Sequence, residues 1–184
     1  MKNSYQKIVI AGPVGSGKTT AVNTMSDIPV VGTEVKASDE TKLLKENTTV
    51  AMDYGTVALG GKQKLHIYGT PGQKRFDFMW DMLGENCIGV VLLVDASAKD
   101  FKEQLAFFLG KFSDLIAKSS LAVGVTKTDE PGAAQFREVR EAISEEFKRY
   151  PVFEVDARHK PDLMLLVEAL LFVIDPKIQV DVSG

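Results

Sequence analysis

Short, nearly continuous apolar runs alternate along the chain with stretches whose apolar residues recur every three or four positions. Lys7–Ala11 (KIVIA), Gly89–Asp95 (GVVLLVD), Leu121–Thr126 (LAVGVT) and Val152–Asp156 (VFEVD) are of the first kind. Such runs are usual for strands covered on both faces. Val50–Leu59 and Lys64–Tyr68 read as two further strands joined at Gly60-Gly61, a hairpin signal. The second kind begins with a helix from Lys18. Phe101, Leu105, Phe108, Leu109, Phe112, Leu115 and Ile116 keep a 3.6-residue period, as do Phe136, Val139, Ile143 and Phe147. A last helix carries Leu163, Met164, Val167, Leu170, Leu171 and Ile174, with Pro161 suited to its first turn.

Strands that alternate with helices predict an α/β fold: a six-stranded, mostly parallel sheet with one antiparallel edge strand and about five helices on both faces. No low-complexity block, long linker or repeat interrupts residues 1–184, so they read as a single domain. In sheets of this kind ligands bind beyond the carboxyl ends of the strands, so the chemistry is expected on the loops that follow them.

Composition narrows the field by exclusion. A content of 45% hydrophobic and 26% charged residues is that of an ordinary globular domain. The formal net charge of −3 argues against coating nucleic acid or anionic lipid, so no nucleic-acid partner is expected. Cys87, the single cysteine, excludes an intramolecular disulfide and a cysteine-rich zinc site. The longest apolar run, Ile88–Val94, is too short to span a bilayer. Met1–Gln6 lacks the apolar core of a signal peptide, and the ends carry no lipidation pattern. A cytoplasmic protein without an intrinsic membrane anchor is expected.

The loop after the first strand is the strongest chemical signal. Gly12-Pro13-Val14-Gly15-Ser16-Gly17-Lys18-Thr19 matches G-x-x-x-x-G-K-S/T in full, between a strand and a helix, with Thr20 following. Glycines let backbone N–H groups turn around a polyphosphate, and the helix start adds its dipole. Lys18 can reach the terminal phosphates, and the Thr19 hydroxyl is placed to ligate Mg²⁺. After the fifth strand comes Thr126-Lys127-Thr128-Asp129. A carboxylate there accepts two hydrogen bonds from the N1–H and N2–H edge of guanine, which adenine does not offer. The Lys127 stem can cover one face of the base. Asp156-Ala157-Arg158 follows the sixth strand, where a backbone N–H can read the guanine carbonyl.

With these residues together, the chain resembles the Ras-like small GTPases over essentially its whole length. The match adds a switch I segment at Thr49–Gly55 (TVAMDYG) and T-P-G-Q at Thr70–Gln73. The chain looks most like the prokaryotic branch related to the gliding-motility GTPases, often paired with roadblock-type partner proteins. The resemblance implies that Thr49 closes over Mg²⁺ and the γ-phosphate of GTP. It implies further that the Gly72 N–H holds that phosphate and that Gln73 orients the attacking water. Mg²⁺ (magnesium) with GTP or GDP is the implied cofactor set, and a protein that meets switches I and II is the implied partner.

Three positions depart from the family pattern. The second motif usually opens with an aspartate that steadies Mg²⁺, but here it reads Gly69-Thr70-Pro71-Gly72. Asp53 and Asp95 are the carboxylates left to substitute, Asp95 reading more simply as the polar end of a strand. Val14 stands where many relatives have glycine, and it would crowd Gln73 or an incoming arginine. Residues 27–48 offer Lys36, Lys42 and Lys45 but no arginine. Each departure points to slow intrinsic hydrolysis.

Other residues carry weaker signals. Phe76, Phe78, Met79, Trp80, Met82 and Leu83 form a run too continuous to face inward on one helix, so core and partner surface both stay open for Trp80 and Phe76. Arg75 reads as a solvated switch residue. His66 and His159 lack the company a metal site needs. Cys87 reads as an inert buried thiol. Two rival readings remain: a P-loop ATPase or phosphotransferase, and a module that holds GTP without turning it over.

Overall fold

The computed structural model describes residues 6–36, 49–59, 63–74 and 78–174, with the side chains of 33–36 and 49–51 also outside the description. A single seven-stranded sheet organises these residues. In chain order the elements are β1 (Gln6–Ala11), α1 (Lys18–Met25), β2 (Val31–Lys36), β3 (Thr49–Ala58), β4 (Lys64–Gly69), α2 (Phe78–Gly84) and β5 (Gly89–Asp95). Then follow α3 (Phe101–Lys111), α4 (Ser113–Lys118), β6 (Leu121–Thr126), α5 (Phe136–Ala142), β7 (Val152–Glu154) and α6 (Lys160–Ile174). A 3-10 turn, Glu145–Phe147, separates α5 from β7.

The strand order is β2-β3-β4-β1-β5-β6-β7. β1 pairs in parallel with both β4 and β5, and β5–β6 and β6–β7 are parallel as well. β3 runs antiparallel to β4, and β2 antiparallel to β3. The fold class is the expected one, but the strand count of six is corrected to seven. The added strand is β2, which forms the edge of the sheet beyond β3. Its residues (VGTEVK) are mixed in polarity because an edge strand is held by backbone pairing to one neighbour rather than by cover on both faces. Burial-based pattern reading passes over such a segment.

The strand alternation splits the core into two layers. Ile8, Ile10, Leu65, Ile67, Val91 and Leu93 face Val22 and Met25 of α1 and Leu163, Leu166, Val167 and Leu170 of α6. Val90, Leu92, Val94, Val123 and Val125 face the other way, onto Phe101, Leu105 and Phe108 of α3 and Val139 of α5. Burying one such side chain contributes about 1.5–3 kcal/mol, so both helical layers are held chiefly by this central sheet.

Two expected helices are each interrupted. The period from Phe101 to Ile116 spans α3 and α4, with a break at Phe112 where the Ser113 hydroxyl bonds back to the Gly110 carbonyl at 2.8 Å. That hydroxyl competes with the helical ladder. The period from Phe136 to Phe147 likewise covers α5 and the 3-10 turn. The Gly60-Gly61 turn, Arg75, Phe76, Lys42 and Lys45 lie outside the described residues.

Candidate functional site

β1 delivers the chain into the Gly12–Thr19 loop at the carboxyl edge of the sheet, and α1 leaves it. Gly15 and Gly17 take φ of +83° and +96°, a left-handed backbone that side chains with a Cβ resist. The loop closes through the Ser16 N–H, which donates to the Pro13 carbonyl at 3.2 Å. Lys18 opens α1 and is only 8% exposed. Its ammonium donates to the Pro13 carbonyl at 2.5 Å. Burial pulls the Lys18 pKa down to about 8, with the charge of Asp53 partly offsetting that fall. Gly72 packs directly on this assembly. A Cβ added there would stand 2.6 Å from the Val14 nitrogen and 2.8 Å from Lys18 Nζ, so only glycine lets the two loops approach this closely.

The two carboxylates left open by the sequence separate cleanly. Asp95, at the end of β5, accepts from Lys127 Nζ at 2.7 Å and from both the N–H and the hydroxyl of Ser97. Burial alone would raise its carboxyl, but the hydrogen bonds from Lys127 and Ser97 outweigh that and hold it below the ordinary value. Asp95 is therefore a brace for Lys127. Asp53 instead accepts from the Thr19 hydroxyl at 2.6 Å. Thr49 lies on the same strand as Asp53. Four residues of β structure carry its backbone roughly 13 Å farther along β3, where it pairs with Lys36, so the structure does not bring Thr49 to Thr19.

At the far end, Thr126 is buried and its hydroxyl points to the carbonyls of Ser16 (3.1 Å) and Val94 (3.2 Å), tying β6 to the phosphate-loop backbone. Lys127 follows with φ +59°, which turns its side chain back towards Asp95. The Thr128 hydroxyl donates to Glu154 at 2.6 Å. Asp129 is largely exposed, with the Arg158 guanidinium 3.8 Å away. Arg158 makes its main contacts with Asp156, through Nε at 2.9 Å and Nη2 at 2.7 Å. Those hydrogen bonds pull the Asp156 carboxyl down to about 2. The Ala157 carbonyl accepts from the Thr24 hydroxyl at 2.8 Å, so α1 fixes this loop as well.

One cavity of about 560 Å³ joins these parts. Gly15, Ser16, Gly17 and Thr20 of the phosphate loop line it together with Thr126, Lys127, Asp129, Ala157 and Arg158 of the two later loops. The volume is of the size that takes a drug-sized or nucleotide-sized ligand. Gly12, Val14, Lys18, Thr19, Gly72 and Gln73 lie outside its lining, and Val14 projects with 66% of its surface exposed.

Trp80 turns inward. It is 2% exposed, stacks on Phe112 with ring centroids 5.3 Å apart, and donates its indole N–H to the Pro71 carbonyl at 3.1 Å. The open alternative of a partner-facing Trp80 is thereby closed. Met79 and Leu83 are buried too, whereas Phe78 and Met82 are exposed, so α2 is striped. His66 Nδ1 lies 2.8 Å from the Tyr54 hydroxyl, and His159 Nδ1 lies 2.7 Å from Asp162. Cys87 is half-buried and burial raises its thiol pKa. Among the described residues, no group of three or more His, Cys, Asp or Glu converges as a protein-only metal cage. Sequence reading did not anticipate the Asp95–Lys127 brace or the Thr128–Glu154 contact. Both join residues from different strands, and only the register of β5, β6 and β7 brings them together.

Comparison with known proteins agrees with this geometry. Residues 3–176 match the family model described as the elongation factor Tu GTP binding domain. An uncharacterized protein of Methanocaldococcus jannaschii is 34% identical over 103 residues. The alignment covers 56% of this chain and 59% of that protein, so the chain spans less than two thirds of its relative's length.

Proposed function

From the premise that the chain belongs to the elongation factor Tu GTP-binding domain family, we propose that it is a GTP-binding switch of the Ras-like type that hydrolyses GTP slowly. The observation that carries the reading is one cavity lined by both the Gly15–Gly17 turn and Asp129. Polyphosphate meets backbone N–H groups of the turn, and the guanine edge meets the carboxylate.

In this reading Gly12, Val14, Gly15, Ser16, Gly17, Lys18, Thr19 and Thr20 hold the phosphates. Thr126, Lys127, Asp129, Ala157 and Arg158 hold the base. Water attacks the γ-phosphorus in line as the bond to the β–γ bridging oxygen breaks, releasing phosphate and GDP. Lys18 stabilises the charge that shifts onto the bridging oxygen, Gly72 donates its N–H to the γ-phosphate, and Gln73 orients the water. Mg²⁺ bound with the nucleotide would neutralise phosphate charge. Thr19 and Thr49 are its expected protein ligands, Thr49 only after the β2–β3 edge releases it.

A protein partner, in the manner of the roadblock-type regulators of similar GTPases, would dock on the exposed Phe78 and Met82 beside the phosphate end. The described residues include no helix long and apolar enough to cross a membrane, which fits a partner met in the cytoplasm. The test is a titration of nucleotide-stripped protein with GDP, GTP and ATP. Binding of GDP and GTP at least 100-fold tighter than ATP is expected. Equal or tighter binding of ATP would refute the guanine assignment.

A further inference from the structure

The family motif that opens with aspartate opens here with Gly69, yet the space beside it is not left without a carboxylate. The antiparallel register of β3 and β4 sets Asp53 directly opposite Gly69. A Cβ added at Gly69 would lie 3.2 Å from both Asp53 Cβ and Asp53 Oδ2. The Asp53 side chain thus folds across the bare glycine, into the volume that a side chain at position 69 would otherwise start from. From there Oδ2 accepts the hydroxyl proton of Thr19 at 2.6 Å. Asp95, the other carboxylate available at the strand ends, is committed to Lys127 and Ser97.

We infer that Asp53 is the carboxylate of the Mg²⁺ site, transferred from β4 to the facing position on β3, and that Gly69 is glycine so that Asp53 can cross over it. The inference rests on the GTP-binding reading above. A threonine hydroxyl has one proton and two lone pairs. With its proton fixed on Asp53, Thr19 keeps both lone pairs for a cation, and the adjoining negative charge raises their donor strength. Asp53 acts as a positioning residue for Thr19 and as a fixed negative charge beside the cation. The same charge is felt by Lys18. Exchange between facing positions is possible because directly opposed residues of an antiparallel pair stand only about 4.5–5.5 Å apart.

The test follows release of a fluorescent GDP analogue from the full chain as Mg²⁺ is titrated, with an EDTA arm as the metal-free limit. In wild-type protein Mg²⁺ slows release. Asp53→Asn keeps the shape but loses the charge, and should raise the Mg²⁺ midpoint by about 10- to 100-fold, each midpoint being read against that protein's own EDTA limit. The exchanged pair Asp53→Gly/Gly69→Asp returns the carboxylate to β4 and should bring the midpoint back towards wild type. A purely structural role for Asp53 predicts no such recovery. A wild-type midpoint in Asp53→Asn overturns the inference. So does an exchanged pair that melts like wild type yet stays at the midpoint of Asp53→Gly. Wild-type protein that binds no guanine nucleotide would instead refute the function itself, and this inference with it.

Discussion

In the proposed function, Lys18 is expected to tie nucleotide affinity to pH. Its ammonium is buried against the Pro13 carbonyl, and its pKa is lowered from 10.5 to about 8 in the nucleotide-free protein. A bound polyphosphate adds several negative charges within reach, which favours the charged amine and raises the pKa again. The sign follows from linkage: a base whose pKa is higher in the complex than in the free protein takes up a proton on binding. Affinity is therefore level below about pH 8 and falls as pH rises through that value, until the pKa of the complex is reached. A full return to 10.5 corresponds to about 3 kcal/mol of binding. Between pH 7 and pH 9 the expected loss is roughly tenfold. At pH 8 each bound nucleotide should take up about half a proton. The phosphate's own last ionisation, near pH 6, is essentially complete by then and does not contribute. Hydrogen bonds hold the Asp95 and Asp156 carboxyls below their ordinary value and raise Arg158 above its own, which moves all three away from this window. Isothermal titration calorimetry at pH 8, in two buffers of different ionisation enthalpy, reads the proton uptake directly. Fluorescent GTP titrations at pH 7, 8 and 9 read the affinity. Lys18→Met should bind more weakly and lose the pH dependence. Equal affinities at pH 7 and pH 9 with no proton uptake would refute the reasoning.

Asp129→Asn should cost on the order of 100-fold in GTP affinity, the scale of two hydrogen bonds to a charged acceptor. It should also gain xanthine nucleotides, as competition binding would show; unchanged guanine selectivity would discard Asp129 as the base reader. Trp80 is the chain's single tryptophan and is bonded to Pro71, next to Gly72, so its emission should differ between the GDP and GTP complexes. Identical spectra would mean that the γ-phosphate does not move this segment. The isolated protein should turn over GTP no faster than Ras alone, about 10⁻⁴ s⁻¹, measured as phosphate release in a single turnover. Val14→Gly should raise that rate and Gln73→Leu should lower it without weakening GTP binding, whereas wild-type turnover near ~1 s⁻¹ would contradict this account.

What could be read from the sequence depended on whether the deciding contacts are local. β5 and β6 match their expected bounds to the residue, because every position in both is buried and the apolar run ends where burial ends. The phosphate loop is legible for the same reason: its residues are contiguous and their chemistry needs no distant partner. β2 was hidden because its place in the sheet comes from pairing with β3, and its sequence VGTEVK carries no continuous apolar run. Trp80 could not be assigned either, since its burial depends on Phe108 and Phe112, some thirty residues on, turning their rings towards α2. Asp53 is the sharpest case. Four residues from Thr49 in sequence, it looks like part of switch I, and only the pairing with Gly69 brings it to Thr19.

The loops after β6 and β7 and the phosphate loop with Gly72 differ in how firmly they are built. Around Asp129, itself largely exposed, the neighbouring residues are braced: Thr126 by Ser16, Lys127 by Asp95, Thr128 by Glu154 and Arg158 by Asp156. In the proposed function guanine would meet these loops with few side chains left to order, so little binding energy would go into ordering them. At the phosphate loop the contacts are ones that a γ-phosphate would share or displace. Lys18 commits one of its three N–H donors to the Pro13 carbonyl, and Gly72 packs within reach of both Val14 and Lys18, so a γ-phosphate would enter beside both. Gly72 is joined through Pro71 to the indole of Trp80, and Trp80 belongs to the same short helix that exposes Phe78 and Met82. A ligand shifts a conformational equilibrium only through contacts that differ between its states. In the proposed function GDP and GTP would share the contacts to the base and differ only beside Gly72, so the third phosphate would act on the exposed face of α2 through Pro71 and Trp80.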